Sequence, residues 1–209
     1  MSRPATEPCT AFVGFTRIAA GPLAEVARAL KERGAAEPEL AALVFADATG
    51  EPVDLDLRGS LAEVLERLPP APGEAPAGPG EGETAAPRPP GRPRLGVVAR
   101  EVTLLPRHWD WLAGQPGGAS VALRKLVEQA RRANEAGDRR RRAIEATYRV
   151  LSALGGNLPG FEEASRALFA GDCERFTREI APWPVDLRDY LAGLAAEGLA
   201  PQPAETESR

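Results

Sequence analysis

Apolar and polar positions follow three different patterns along this chain, and each pattern predicts different elements. Near the N-terminus Phe12, Val13, Phe15 and Ile18 lie between Thr10 and Ala20 at strand-like spacing, ending at Gly21-Pro22. Pro22 suits a helix start. Leu23, Val26, Ala27 and Leu30 then recur at i, i+3, i+4 and i+7, a stripe that faces a partner, and Gly34 closes the predicted helix. Residues 41–46 and 53–57 read as strands around the turn Asp47-Ala48-Thr49-Gly50. A short helix follows over 60–68, with Ser60 as N-cap and Glu63 in the capping-box position. Residues 9–68 are thus expected to form a small α+β domain of β-α-β-β-α order.

The pattern disappears over 69–94, where nine prolines and five glycines leave almost no large apolar side chain. Such a composition does not repay the entropy of ordering, so this stretch is expected to be a disordered tether. Within it, Pro87-Arg88-Pro89-Pro90 has the form of a ligand for an aromatic groove. Periodicity returns at 97–105, a strand-like run, and Pro106 opens a helix reaching Ala113. Gly114 and Pro116-Gly117-Gly118 interrupt it. A second helix is expected from Ala119 or Ser120 to Ala133, with Leu123, Leu126, Val127 and Ala130 as its apolar stripe. Gly137 is read as the next break. Helices follow over 138–154, 160–169, 172–180 and 184–196, so residues 95–137 and 138–199 make two further regions, the last a helical bundle.

Composition adds a charge division to this outline. Residues 1–87 carry 7 Lys+Arg against 14 Asp+Glu, residues 88–142 carry 13 against 5, and residues 143–209 carry 6 against 11. The basic middle is what a polyanionic partner requires, and an ordinary helical charge run gives the same count. Lys occurs only at Lys31 and Lys125, and this Arg bias accompanies abundant Ala, Gly and Pro, so Arg abundance alone does not indicate phosphate binding. No apolar run is long enough for a membrane helix or a secretory signal, which makes the cytoplasm the expected compartment. Cys9 and Cys173 have no metal-ligand spacing and are read as reduced.

The order strand, Leu-Pro, helix, Gly-rich turn, helix opening on Ala-Ser is where a resemblance enters. Residues 100–132, from Arg-Glu-Val-Thr-Leu-Leu-Pro-Arg-His-Trp to Gly-Gly-Ala-Ser-Val-Ala-Leu-Arg-Lys, resemble the ribbon-helix-helix family of bacterial repressors and antitoxins. That resemblance implies a homodimer, because one strand from each chain pairs into a ribbon that enters the major groove of duplex DNA. Carried over by position, Ser120 with the Gly118 and Ala119 backbone would hold a phosphate at a helix N-terminus. Thr103 would face the bases, and Arg107, Arg124, Arg131 and Arg132 would flank the duplex. Glu101 departs from the pattern: on the outward face it repels phosphates, although it would accept from cytosine N4. The whole chain also resembles an uncharacterised bacterial family, domain of unknown function 2239. The likeness lies in Asp47-Ala48-Thr49-Gly50, residues 54–59, residues 105–112 and residues 167–172.

The remaining chemistry-bearing residues have plain readings beside sharper ones. His108, the single histidine, lacks a nucleophile or carboxylate at a spacing that would make it a general base. Trp109 and Trp111 have the rings to stack on bases, yet at least one is expected in the core. Asp47, Asp54 and Asp56 would make three oxygen ligands for Mg²⁺, or else a turn residue and a solvated strand face. Arg139 to Arg142 is placed at a helix N-terminus, which the helix dipole disfavours for cations. No cofactor or metal is called for, and no nucleophile, base and orienting group occur together, so no enzyme is expected. The reading is a dimeric DNA-binding protein, with a protein-interaction, antitoxin-like module as the alternative. A further protein partner would dock on the N-terminal or C-terminal unit.

Overall fold

The computed structural model describes residues 4–36, 41–69, 98 and 100–200. The expected tether lies outside the described residues, except for Pro69. Among the described residues seven helices accompany a three-stranded antiparallel sheet of order β2-β1-β3. These fall into two compact units. One gathers the described residues up to Pro69 together with those from Ala136 onward; the other holds those between Val98 and Glu135.

In the first unit the N-terminal strand of the sequence reading is two strands. β1 (Pro8–Val13) turns at Gly14, whose φ of 57° suits a residue without Cβ, and returns as β2 (Thr16–Pro22). Thr10 pairs with Ala20 in that hairpin, and Cys9 with Ala46 across to β3 (Ala42–Ala46). Between β2 and β3 runs α1 (Leu23–Ala36), which continues past Gly34. The order is therefore β-β-α-β-α, correcting the expected β-α-β-β-α. The expected strand at 53–57 is also absent. Phe45 bridges Pro52 and the Val53 amide reaches the Val44 carbonyl at 2.8 Å, but beyond this side chains replace the ladder. Arg67 donates to the Asp56 carbonyl at 2.9 Å and Lys31 to the Leu57 carbonyl at 2.7 Å. The short helix α2 (Leu61–Arg67) is capped as its sequence predicts. Ser60 Oγ accepts from the Glu63 amide, and the Glu63 carboxylate accepts from the Ser60 amide at 2.6 Å.

Sheet residues alternate between two cores, and this decides how the unit is built. Cys9, Ala11, Val44 and Ala46 pack with Leu23, Val26 and Leu30 of α1. Phe12 and Phe45 face the other way, into a larger core with Val150, Leu151, Leu168, Phe176, Leu187, Tyr190 and Leu191. A strand apolar on both faces needs cover on both. The cover on the second face comes from the second half of α4 (Gly118–Gly155), from α5 (Phe161–Ala170) and α6 (Cys173–Ile180), and from α7 (Val185–Leu199). Residues 9–68 and 138–199, expected as separate regions, therefore share the larger of the two cores through Phe12 and Phe45. Polar contacts join them as well. The Tyr190 hydroxyl donates to Asp47 Oδ1 at 2.8 Å, Arg149 to the Thr49 carbonyl at 2.6 Å, and the Arg17 amide to Asp186 at 2.9 Å.

The turn Asp47–Gly50 sits against α4. Gly50 has φ 64°, and a Cβ there would overlap the Ala146 carbonyl, so only glycine fits. Helix α4 runs unbroken through Gly137, contrary to the expected stop. A helix-interior glycine costs only about 1 kcal/mol relative to alanine, and the flanking Arg, Ala and Glu residues are strong helix formers. No helix among the described residues is long and apolar enough to cross a membrane.

Candidate nucleic-acid interface

The second unit is a helical hairpin. Leu105 is extended, and Pro106, whose ring holds φ in the helical range, occupies the first turn of α3 (Pro106–Ala113). Gly114 ends that helix by donating to the Asp110 carbonyl. Gly117 and Gly118, at φ 86° and 74°, then bring the chain round into α4. The described residues of 98–105 form no strand within the chain. Only Leu112 and Ala122 are buried among the described residues of this unit, while Val102, Leu105, Trp109, Trp111 (53% exposed), Leu126 and Val127 (63% exposed) remain in contact with solvent. Both tryptophans are thus outside the core of the single chain, contrary to the expectation for at least one. The stripe expected on the second helix is likewise uncovered at Leu126 and Val127.

The residues assigned to DNA divide by their present partners. Thr103, Arg107 and Ser120 are exposed, and Gly118 and Ala119 are half-buried at the start of α4. One of the amides at this helix end is already engaged, since Gly118 N–H donates to the Gln115 carbonyl at 2.9 Å. Arg124 donates to the Ser120 carbonyl at 3.1 Å, which lays its side chain back along the first turn. Arg131 and Arg132 share one carboxylate. Arg131 reaches Glu128 at 3.0 and 3.2 Å and Arg132 reaches it at 3.0 Å. Those bonds, from Arg131 first and Arg132 second, hold the Glu128 carboxyl below its ordinary range. The pair thus carries a counter-charge that sequence reading missed, although the i,i+3 and i,i+4 spacing of Glu128 already signalled it.

The Arg139–Arg142 run lies in the middle of α4 rather than at a helix start, so the dipole argument against it falls away. Arg141 pairs with Asp138 at 2.9 Å, and Arg142 Nε donates to the Asp138 carbonyl at 3.1 Å. The Arg140 guanidinium lies against Gly171, the residue that ends α5, where helix carbonyls favour a cation.

Two of the three aspartates considered for Mg²⁺ are engaged otherwise. Asp47 accepts from Thr10 Oγ1 at 2.9 Å and from Tyr190. Asp56 accepts from Arg58 at 2.8 Å and has Arg67 within 3.9 Å, and the Arg58 hydrogen bonds hold its carboxyl well below the usual range. No group of three or more His, Cys, Asp or Glu able to hold a metal ion occurs among the described residues. His108 is exposed. Cys9 is buried and Cys173 is exposed.

No curated protein and no solved structure matches the chain. A family model does, from β1 to within α7, so it spans the sheet, the helical hairpin and the C-terminal helices together. The matched model is described as an uncharacterized protein conserved in bacteria (DUF2239), it covers residues 8–195, and the chain belongs to that family.

Proposed function

We propose that the protein is a homodimer of ribbon-helix-helix type that binds duplex DNA through the unit between Val98 and Glu135. The observation that carries this reading is the apolar surface left on that unit. With two buried side chains against seven large exposed ones among its described residues, the hairpin cannot be stable by its own burial and calls for a partner. A second copy supplies the missing strand for residues 98–105 and a matching apolar face in a single symmetric contact. In such a dimer Thr103 faces the bases, the N-terminus of α4 at Gly118, Ala119 and Ser120 meets a phosphate, and Arg107, Arg124, Arg131 and Arg132 line the duplex.

A second, non-enzymatic reading has its own support. Glu128 offsets Arg131 and Arg132, and Glu101 would stand beside Thr103 on the ribbon; both features suit an interaction module that captures another protein. Salt dependence separates the two readings. Bound arginines release condensed counterions, so the DNA affinity should fall with salt at a log-log slope of about −0.9 per phosphate contact. Arg107→Ala with Arg124→Ala should make the slope shallower, while Thr103→Ala changes sequence preference and leaves the slope nearly constant. Absence of salt-sensitive binding to any duplex at about 50 mM salt would favour the interaction module.

A further inference from the structure

Residues 53–57 keep the alternation of a strand without its ladder. Val53, Leu55 and Leu57 pack against the core between the sheet and α1, while Asp54 and Asp56 are exposed. The Val53 amide points to β3, where it meets the Val44 carbonyl, so the backbone groups of Asp54 and Asp56 point the opposite way. Arg67 of α2 arrives on that side and takes the Asp56 carbonyl. The Asp54 N–H and C=O and the Asp56 N–H have no backbone partner among the described residues. Beside this bare edge lies a cavity of about 480 Å³, with Leu23, Leu55, Val64 and Leu68 as its apolar lining and Asp54 among its polar residues. Leu23 and Val64 are buried, so they form its floor. Asp56 already holds Arg58 and has Arg67 nearby, which leaves Asp54 as the acid that can meet a further cation.

We propose that this edge takes up an extended basic peptide of another protein as an added antiparallel strand. Asp54 offers both backbone groups, and one residue of an antiparallel partner meets both. Directly opposed residues share a face, so a lysine or arginine there stands beside the Asp54 carboxylate. Its apolar neighbours then fall on the Leu55 side, over the cavity floor. Other occupants fit less well. Two copies joined through this edge would set Asp54 and Asp56 against acids, and like charges opposite one another destabilise a sheet. A proline-rich segment lacks the N–H that the Asp54 carbonyl requires. Sequence reading expected a paired strand here; the edge is open because Lys31 and Arg67, 26 and 11 residues from their carbonyl partners, replace the ladder.

Peptide capture is independent of DNA binding and is tested on the full chain without DNA. The probe is a labelled, end-blocked Lys-Val-Lys-Val-Lys-Val-Lys peptide, followed by fluorescence anisotropy at constant ionic strength. It should bind saturably. The isomer Lys-Lys-Lys-Lys-Val-Val-Val has the same charge and should bind about ten-fold more weakly, because it cannot lay alternate valines on the floor. N-methylation of the lysines should weaken binding by about ten-fold or more, since the amide that meets Asp54 is lost, whereas the valine amides face away and tolerate it. Asp54→Lys, at an exposed position, should leave the melting temperature unchanged and weaken binding by about ten-fold or more. No saturable binding, equal binding of the isomer, equal sensitivity to the two methylations, or undiminished binding to a folded Asp54→Lys protein would overturn the added strand. Tighter binding of an end-blocked Ala-Pro-Arg-Pro-Pro-Gly peptide would assign the edge to a proline-rich occupant, and peptide affinity that falls as protein concentration rises would assign it to a second copy; either result overturns the proposal.

Discussion

Asp47 was legible as a turn residue, but nothing in its neighbourhood announced that it accepts from a tyrosine 143 residues away. Such pairings depend on which helix covers the second face of the sheet, and periodicity within one element carries no record of that. The pairing has a measurable consequence. Burial pushes the Tyr190 phenol far above its ordinary range, and the Asp47 carboxylate beside it acts in the same direction. A group whose folded pKa is raised gives stability that is intact below its unfolded value and declines as pH rises beyond it. Wild-type stability in urea should therefore fall as pH climbs above about 10, where an unfolded tyrosine ionises. Tyr190→Phe should lose about 1–3 kcal/mol at neutral pH, because Asp47 forfeits a donor, and should show a smaller further loss at alkaline pH. Equal alkaline losses in both proteins would contradict this account.

At the level of elements, legibility followed local chemistry. The capping box at Ser60 and Glu63, Pro106 at the start of α3, and Gly171 with Asp172 between α5 and α6 each act within a few residues, and each element stands where its sequence indicates. Misreadings arose where a neighbour outweighed a local preference. Gly14 turned one expected strand into a hairpin, Lys31 and Arg67 drew residues 53–57 out of a ladder, and helix formers on both sides carried α4 across Gly137. That last point is open to a direct check. Gly137 does not have a positive φ, and a Cβ there meets nothing within 4 Å. Gly137→Ala should raise stability by about 1 kcal/mol, read as a higher denaturant midpoint with an unchanged slope. A lower midpoint would mean that the helix ends or bends at this residue.

For the whole molecule, the candidate interface was legible as an order of elements and a row of residues, whereas the pairing of Arg131 and Arg132 with Glu128 was not recognised. The exposed apolar side chains predict the state of association. Sedimentation at micromolar concentration should give the mass of two chains, and Val127→Glu should shift it toward one by placing a charge on the shared face. A wild-type monomer would remove the basis for the ribbon. The two-sided burial of the sheet bears on how the protein emerges from the ribosome. Strands β1 and β3 are synthesised early, yet Phe12 and Phe45 are covered by helices that come late, with 143 residues separating Asp47 from Tyr190. At about 5–20 residues per second, the nascent sheet waits roughly 7 to 30 seconds with one greasy face bare. During that interval the chain depends on whatever the cell offers to shield it, and a transcript cut short before α7 should yield aggregate in place of a smaller folded protein.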